Sequence, residues 1–294
     1  MATFLSGISV LCFAASYAVA LACEASRLVF RSGVRGAVMV GFAAAGLFAH
    51  TLFLGWRAAT EAAVPLSSPF DWYLLAAWLL AAGYLYLTVT NPRTPVGLFM
   101  LPVVLLLVGA AQLSSRAAFP QSPATQVWGA IHGSFNLAAS VSVAIGAVAG
   151  TMWLIQAGRL ARKQPPLAGF RMPSLERLAR ITARTPAIAA WTAAAGFVSG
   201  IVLNAVNRRS GLLETVPWTD PVVLRMGGLV AWLIMADALA AAARRRPDGP
   251  RTGARLAVVS LGVLAASILW GVLGPSRHGL PPAEPAPASR EAVP

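Results

Sequence analysis

Charged residues are scarce in this chain of 294 residues: ten Asp and Glu, and 23 Lys and Arg, of which only Lys163 is lysine. Cysteines number two and histidines three. Each scarcity excludes something. With 11% of residues charged and 57% hydrophobic, a soluble domain of this size could not be covered by polar surface. Cys12 and Cys23 lie eleven residues apart in one apolar run. That is roughly 16 Å along a helix, too far to bridge. Neither C-x-x-C nor C-x-x-C-H occurs, so the chain has no thiol-redox motif and no c-type haem attachment site of its own. No H-E-x-x-H occurs and the carboxylates are scattered, which argues against zinc hydrolase chemistry. No G-x-x-x-x-G-K-[ST] occurs, and the lone lysine sits in a basic loop, which argues against ATP hydrolysis.

Apolar length, by contrast, is abundant. Hydrophobic runs fall at about 4–23, 36–55, 72–90, 96–113, 128–155, 186–206, 222–243 and 256–273. Each can cross ~30 Å of hydrocarbon. The runs are continuous rather than alternating, which argues against a β-barrel. They predict an all-α transmembrane bundle of about eight spans, one domain over 1–278, with a Pro/Ala-rich disordered tail at 279–294. The long fifth run is expected to tilt or to outreach the hydrocarbon. Around Ser174–Thr185 the pattern predicts a short amphipathic helix on the inner surface, N-capped by Ser174. Gly146-x-x-x-Gly150 and Gly196-x-x-x-Gly200 suit close helix contact, although such spacings also arise by chance in an Ala/Gly-rich chain.

The net charge of +13 is distributed by side. Arg27, Arg31 and Arg35 fill the first gap, Arg93 the third, seven basic residues from Arg159 to Arg184 the fifth, and five from Arg244 to Arg255 the seventh. Seven others are spread over the opposite side: Arg57, Arg116, Arg208, Arg209, Arg225, Arg277 and Arg290. The positive-inside rule places the first set in the cytoplasm and both termini outside. Arginines beside apolar runs fix orientation and meet anionic headgroups, so the partner of this charge is the lipid bilayer and not nucleic acid. The start, MATFLSG, has no basic residue, which is the wrong polarity for a cleaved signal.

On this topology His50, His132 and His278 all fall at the outer face. Neutral imidazole ligates haem iron and several transition metals. A macrocycle also needs aromatic walls and cations for its propionates. The outer rim offers Trp56, Phe70, Trp72, Trp128, Phe135 and Trp218, with Arg57, Arg116, Arg208 and Arg209. An interfacial aromatic belt accounts for most of these tryptophans equally well, Trp218 excepted because it sits in a loop beside Asp220 and Pro221. Asn136 lies one turn from His132 on the same helix face. Glu24 is expected to pair with Arg27 at the surface, and Asp237 with the Arg244 cluster.

The arrangement resembles the cytochrome c assembly proteins of the CcsA/ResC type and their HemX-like relatives. The resemblance is carried by Ala49-His50-Thr51-Leu52, Pro69-Phe70-Asp71-Trp72 and Ala77-Trp78-Leu79-Leu80; by Ile131-His132-Gly133-Ser134-Phe135 and Trp153-Leu154-Ile155-Gln156; and by Pro217-Trp218-Thr219-Asp220-Pro221, Ala231-Trp232-Leu233-Ile234 and His278. It implies a protein of the bacterial cytoplasmic membrane that presents haem b transiently at the outer face for attachment to apocytochrome c, together with other membrane assembly subunits. His132 and His278 look like the two external iron ligands, and His50 like the transmembrane histidine on the haem's route. Trp218 and Asp220 stand in the tryptophan-rich segment, with Arg208 and Arg209 available to propionates. The family loop has several tryptophans and a W-D-P-x-E core; here one Trp remains, the Asp comes one position late, and Val222 follows the Pro.

Three functions therefore stand at this point. The first is haem handling in cytochrome c maturation, with no reaction catalysed beyond a share in a haem–apocytochrome ligation complex. The second is a non-catalytic HemX-like subunit that stabilises or regulates haem-synthesis or cytochrome-assembly partners. The third is a transporter with rim histidines, for which no midplane charge pair or broken helix speaks.

Overall fold

The computed structural model describes residues 9–27, 33–60, 66, 68–118, 123–164, 172–210 and 216–273. These form α1 (Val10–Ser26), α2 (Gly33–Thr60), α3 (Pro69–Thr90), α4 (Gly97–Leu113), α5 (Pro123–Ala161), α6 (Leu175–Ser210), α7 (Pro221–Ala243) and α8 (Gly249–Leu273). Among the described residues there is no strand. Six helices (α2, α3 and α5–α8) are long and apolar enough to cross a membrane, while α1 and α4 are shorter apolar helices of 17 residues. The chain is an all-α, multi-pass membrane protein. The tail at 279–294 and His278 lie outside the described residues.

Helix starts follow local chemistry. Ser68-Pro69 and Asp220-Pro221 open α3 and α7 in the same way. In each, the cap side chain accepts a backbone N–H, and proline takes the first helical position, where its missing donor costs nothing. The Ser174 hydroxyl accepts the Arg177 N–H at 3.2 Å, which makes it the N-cap expected from sequence.

The helix that Ser174 opens is not a separate surface helix. It runs through Pro186 as the first turns of α6. Its apolar side docks on protein rather than lipid: Leu178 is buried beside Ala149 and Met152 of α5, and Thr182 and Thr185 are buried too. The two threonine hydroxyls donate to the carbonyls of Ala179 and Ile181 just before the proline. At 39 residues, α5 is about 58 Å long, well past the ~30 Å of hydrocarbon.

Two cores organise the bundle. α1–α4 surround the first, where Phe13, Tyr17, Phe70, Leu74, Tyr84 and Leu101 are fully buried and α5 adds Ala144. α5–α8 surround the second, built from Ala139, Val143, Ala189, Ala190, Ala193, Leu229, Leu233 and Leu264. Small residues suit this place, because helices in lipid associate by close packing rather than by escape from water. Both glycine pairs serve that end. A Cβ on Gly146 would lie 2.5 Å from Thr185 Oγ1, and one on Gly150 would lie 2.6 Å from the Ala254 carbonyl oxygen of α8.

Indole N–H groups tie neighbouring helices together. Trp78 donates to Thr51 at 2.8 Å across α3 and α2, and Trp232 donates to Ser260 at 3.0 Å across α7 and α8. One polar expectation is corrected. Glu24 does pair with Arg27, at 3.1 Å, but its carboxylate is 1% exposed rather than at the surface. Tyr84 and Gly97 close over it, and Arg27 also donates to the Pro92 carbonyl. Asp237 approaches Arg244 at 3.7 Å, as expected. Cys12 and Cys23 are both free thiols.

Candidate ligand cavity

The starts of α3, α5 and α7 meet the later parts of α6 and α8 around a cavity of about 820 Å3. This end of the bundle is opposite Arg159 at the end of α5, Arg177, Arg180 and Arg184 at the start of α6, and the basic residues of 244–255 between α7 and α8 and at the start of α8. Helical spacing supplies the walls. Val222, Arg225, Met226, Leu229 and Leu233 form one face of α7; Phe197, Gly200, Asn204 and Asn207 form one face of α6; His132, Gly133, Asn136 and Ser140 form one face of α5. The lining is mostly aliphatic and aromatic with a few polar groups, and the volume lies in the roughly 300–1,000 Å3 range of small-molecule and cofactor sites.

Among the described residues, His132 is the imidazole that lines this cavity. Its Nδ1 lies 2.8 Å from the Gly196 carbonyl oxygen, which only an N–H can satisfy, so Nδ1 donates and Nε2 carries the lone pair. The Asn136 amide sits beside the ring, 3.2 Å from Nε2, and donates to the His132 carbonyl at 2.9 Å. The Ser199 hydroxyl also donates to Gly196 O, at 2.8 Å. The Gly196-x-x-x-Gly200 pair makes room for this cluster. A Cβ on Gly200 would lie 2.9 Å from His132 Cε1, and one on Gly196 would lie 2.9 Å from Asn136 Oδ1. Gly133 does the same for Trp72, whose ring would lie 2.2 Å from an added Cβ.

A clasp holds the segment before α7 against the rim. Asn204 donates to the Val216 carbonyl and accepts the Val216 N–H, both at 2.9 Å. Trp218 follows, exposed to solvent yet lining the cavity, and so stands at its mouth. Asp220 is buried and spends Oδ1 on the Val222 N–H at 2.8 Å, as the cap of α7. It fixes where α7 begins and does not line the cavity.

The remaining expected site residues fall elsewhere. His50 does not line this cavity. It is fully buried in the first core, stacked on Phe13 with centroids 4.1 Å apart, and its Nδ1 lies 3.3 Å from the Tyr17 hydroxyl. Arg208 and Arg209 are exposed at the end of α6 and do not line the cavity either. Arg57 and Arg116 flank the Phe70 ring at 4.9 and 4.8 Å, and Arg57 also binds Asp71 at 2.5 Å. Among the described residues no three His, Cys, Asp or Glu side chains converge as a metal cage.

Among the described residues Arg225 is the cation that does line the cavity, although its sequence position marks it only as one more outer-side charge. Two signals could have found it. It stands inside an apolar run, where a guanidinium is costly and usually functional. It also shares its helix face with the core residues Leu229 and Leu233, four and eight positions on. Its Nη1 donates to the Ser267 carbonyl of α8 at 3.0 Å, and its Nε is buried without a partner.

No family model matches this chain, and neither a curated protein nor a solved structure does.

Proposed function

We propose that the cavity between α5, α6, α7 and α8 holds haem, with His132 Nε2 as an iron ligand, and that the protein presents it at the outer face of the bacterial cytoplasmic membrane for cytochrome c maturation. One observation carries the reading: in an apolar cavity of about 820 Å3, His132 donates Nδ1–H to a backbone carbonyl at 2.8 Å. Histidines that ligate metals are oriented by just this bond, which fixes the tautomer and raises the basicity of the other nitrogen. The arginine asymmetry supports an outer position for the cavity end.

The residues present fit the group. Trp72, Tyr73, Phe197 and Trp218 supply flat walls, the aliphatic face of α7 supplies apolar cover, and Arg225 supplies the positive charge. Bound haem would bring an iron for His132 and vinyl groups to which the thiols of apocytochrome c add. The chain's own work is to orient the macrocycle, keep water from its apolar faces and leave an edge accessible beside Trp218. Apocytochrome c and other membrane assembly subunits are the partners of this reading. His278, the second external ligand implied by the family resemblance, lies outside the described residues.

The test is a haem titration of detergent-purified protein, read in the Soret region with and without dithionite. The expected result is a saturable low-spin spectrum that changes ligation in His132→Ala and is unchanged in His50→Phe. A spectrum indifferent to His132 would overturn the assignment. If haem fails to bind and a variant lacking all three histidines still supports cytochrome c formation in cells, the non-catalytic HemX-like role replaces it.

A further inference from the structure

An arginine in a membrane helix needs a reason, because its charge is expensive there and is normally paired or faces a polar site. Arg225 has only part of one. The guanidinium has five N–H donors in a planar fork. One nitrogen is used on the Ser267 carbonyl, and the Nε atom is buried with no partner. No carboxylate among the described residues forms an ion pair with it. Tyr73 and Asp220 act on it electrostatically, and the Asp220 carboxylate already caps α7.

The surroundings are shaped to keep the group in place. Gly271 of α8 faces it so closely that a Cβ would fall 1.4 Å from Nη1. The guanidinium therefore rests against the bare backbone of α8, on a residue that lines the cavity. A ligand spanning this space would have an apolar body against Phe197, Leu229 and Leu233 and an anionic end at Arg225.

We propose that Arg225 makes this cavity selective for amphiphiles bearing a carboxylate, the acid seating on the guanidinium fork while the flat apolar body fills the space toward His132. The inference rests on the cavity being the ligand site, but it is independent of iron. Arginine recognises carboxylate through two parallel N–H···O bonds, and a neutral ester of the same body cannot form that charge-assisted pair.

The probes are iron-free protoporphyrin IX and its dimethyl ester, titrated by fluorescence into the full-length protein in neutral detergent. The wild type should bind the diacid at least about tenfold more tightly than the diester. Arg225→Gln should bring the two within about twofold by weakening the diacid alone, and Arg225→Lys should restore part of the preference. Gly271→Ala should lower the preference with the charge still present, because the guanidinium must leave its seat. A purely structural tie between α7 and α8 would weaken both probes together, and that result overturns the proposal. Equal binding of diacid and diester by the wild type overturns it without any variant. The haem reading fails separately: a His132-dependent Soret change with no acid preference removes only the Arg225 inference, and an acid preference without iron ligation removes only the haem assignment.

Discussion

Gly200→Ala should unseat His132, and the size of the effect can be worked from the contacts. The new methyl would meet Cε1 at 2.9 Å and Nδ1 at 3.0 Å. Ordinary contact between such atoms begins near 3.5 Å, so the ring or α6 must give by about half an ångström. His132 Nδ1 is 2.8 Å from Gly196 O, four residues earlier on the same helix. A shift of that size stretches the bond to about 3.3 Å, beyond the usual N–H···O range. Losing it costs roughly 1 kcal/mol net. Overpacking a tight contact adds about 1–3 kcal/mol. Replacing a mid-helix glycine by alanine returns close to 1 kcal/mol. The net is a destabilisation of about 1–3 kcal/mol. Gly228 provides the control, since an added Cβ there meets nothing within 4 Å. Gly228→Ala should be neutral or stabilising by up to ~1 kcal/mol. SDS-denaturation free energies of the two variants, with a haem titration of each, check the reasoning. If Gly200→Ala matches Gly228→Ala in stability and keeps wild-type haem affinity, the ring is not held as described.

The ion pair under the rim offers a second test. Arg57→Ala should cost about 3 kcal/mol, because Asp71 is left nearly buried with its charge uncompensated, whereas adding Asp71→Asn should recover much of that loss in the same denaturation assay. Gly150→Leu should abolish folded protein in detergent size-exclusion chromatography, since its Cβ would press on the α8 backbone at Ala254 and backbone cannot swing aside. Asn204→Leu should release Val216, with faster amide exchange there and a stability loss of about 1–3 kcal/mol for two bonds. His50→Phe should keep the stack on Phe13 and change stability by under about 1.5 kcal/mol; a larger loss would mean that the Tyr17 contact holds the first core together.

Much of the architecture was legible because it is written locally. The apolar runs marked the helices, Ser174 marked an N-cap, and the two G-x-x-x-G spacings marked real close contacts. Assembly was harder to read. Counting arginines put His50 and His132 on one side, but no local signal says that α1–α4 and α5–α8 build separate cores, and that division is what parts the two histidines. Pro186 reads as a boundary in sequence; the burial of Leu178, Thr182 and Thr185 against α5 and α8 carries the helix through it. Glu24 looked solvent-facing because Arg27 follows it, while the residues that bury it, Tyr84 and Gly97, lie far along the chain. At the rim, Asp220 looked like a ligand-binding acid because of its neighbours Trp218 and Pro221. The same Asp-Pro pair is a helix start, and the cap is the use the structure makes of it. Arg225 was hidden by being counted as topology when its helix face pointed into the core.

A structure of the protein purified with haem, with iron located by its anomalous scattering, tests the haem assignment most directly. Iron is expected next to His132 Nε2, inside the cavity walled by α5, α6 and α7. Iron beside His50 in the first core, or haem lying on the outer surface with His132 still bonded only to Gly196 and Asn136, would contradict it.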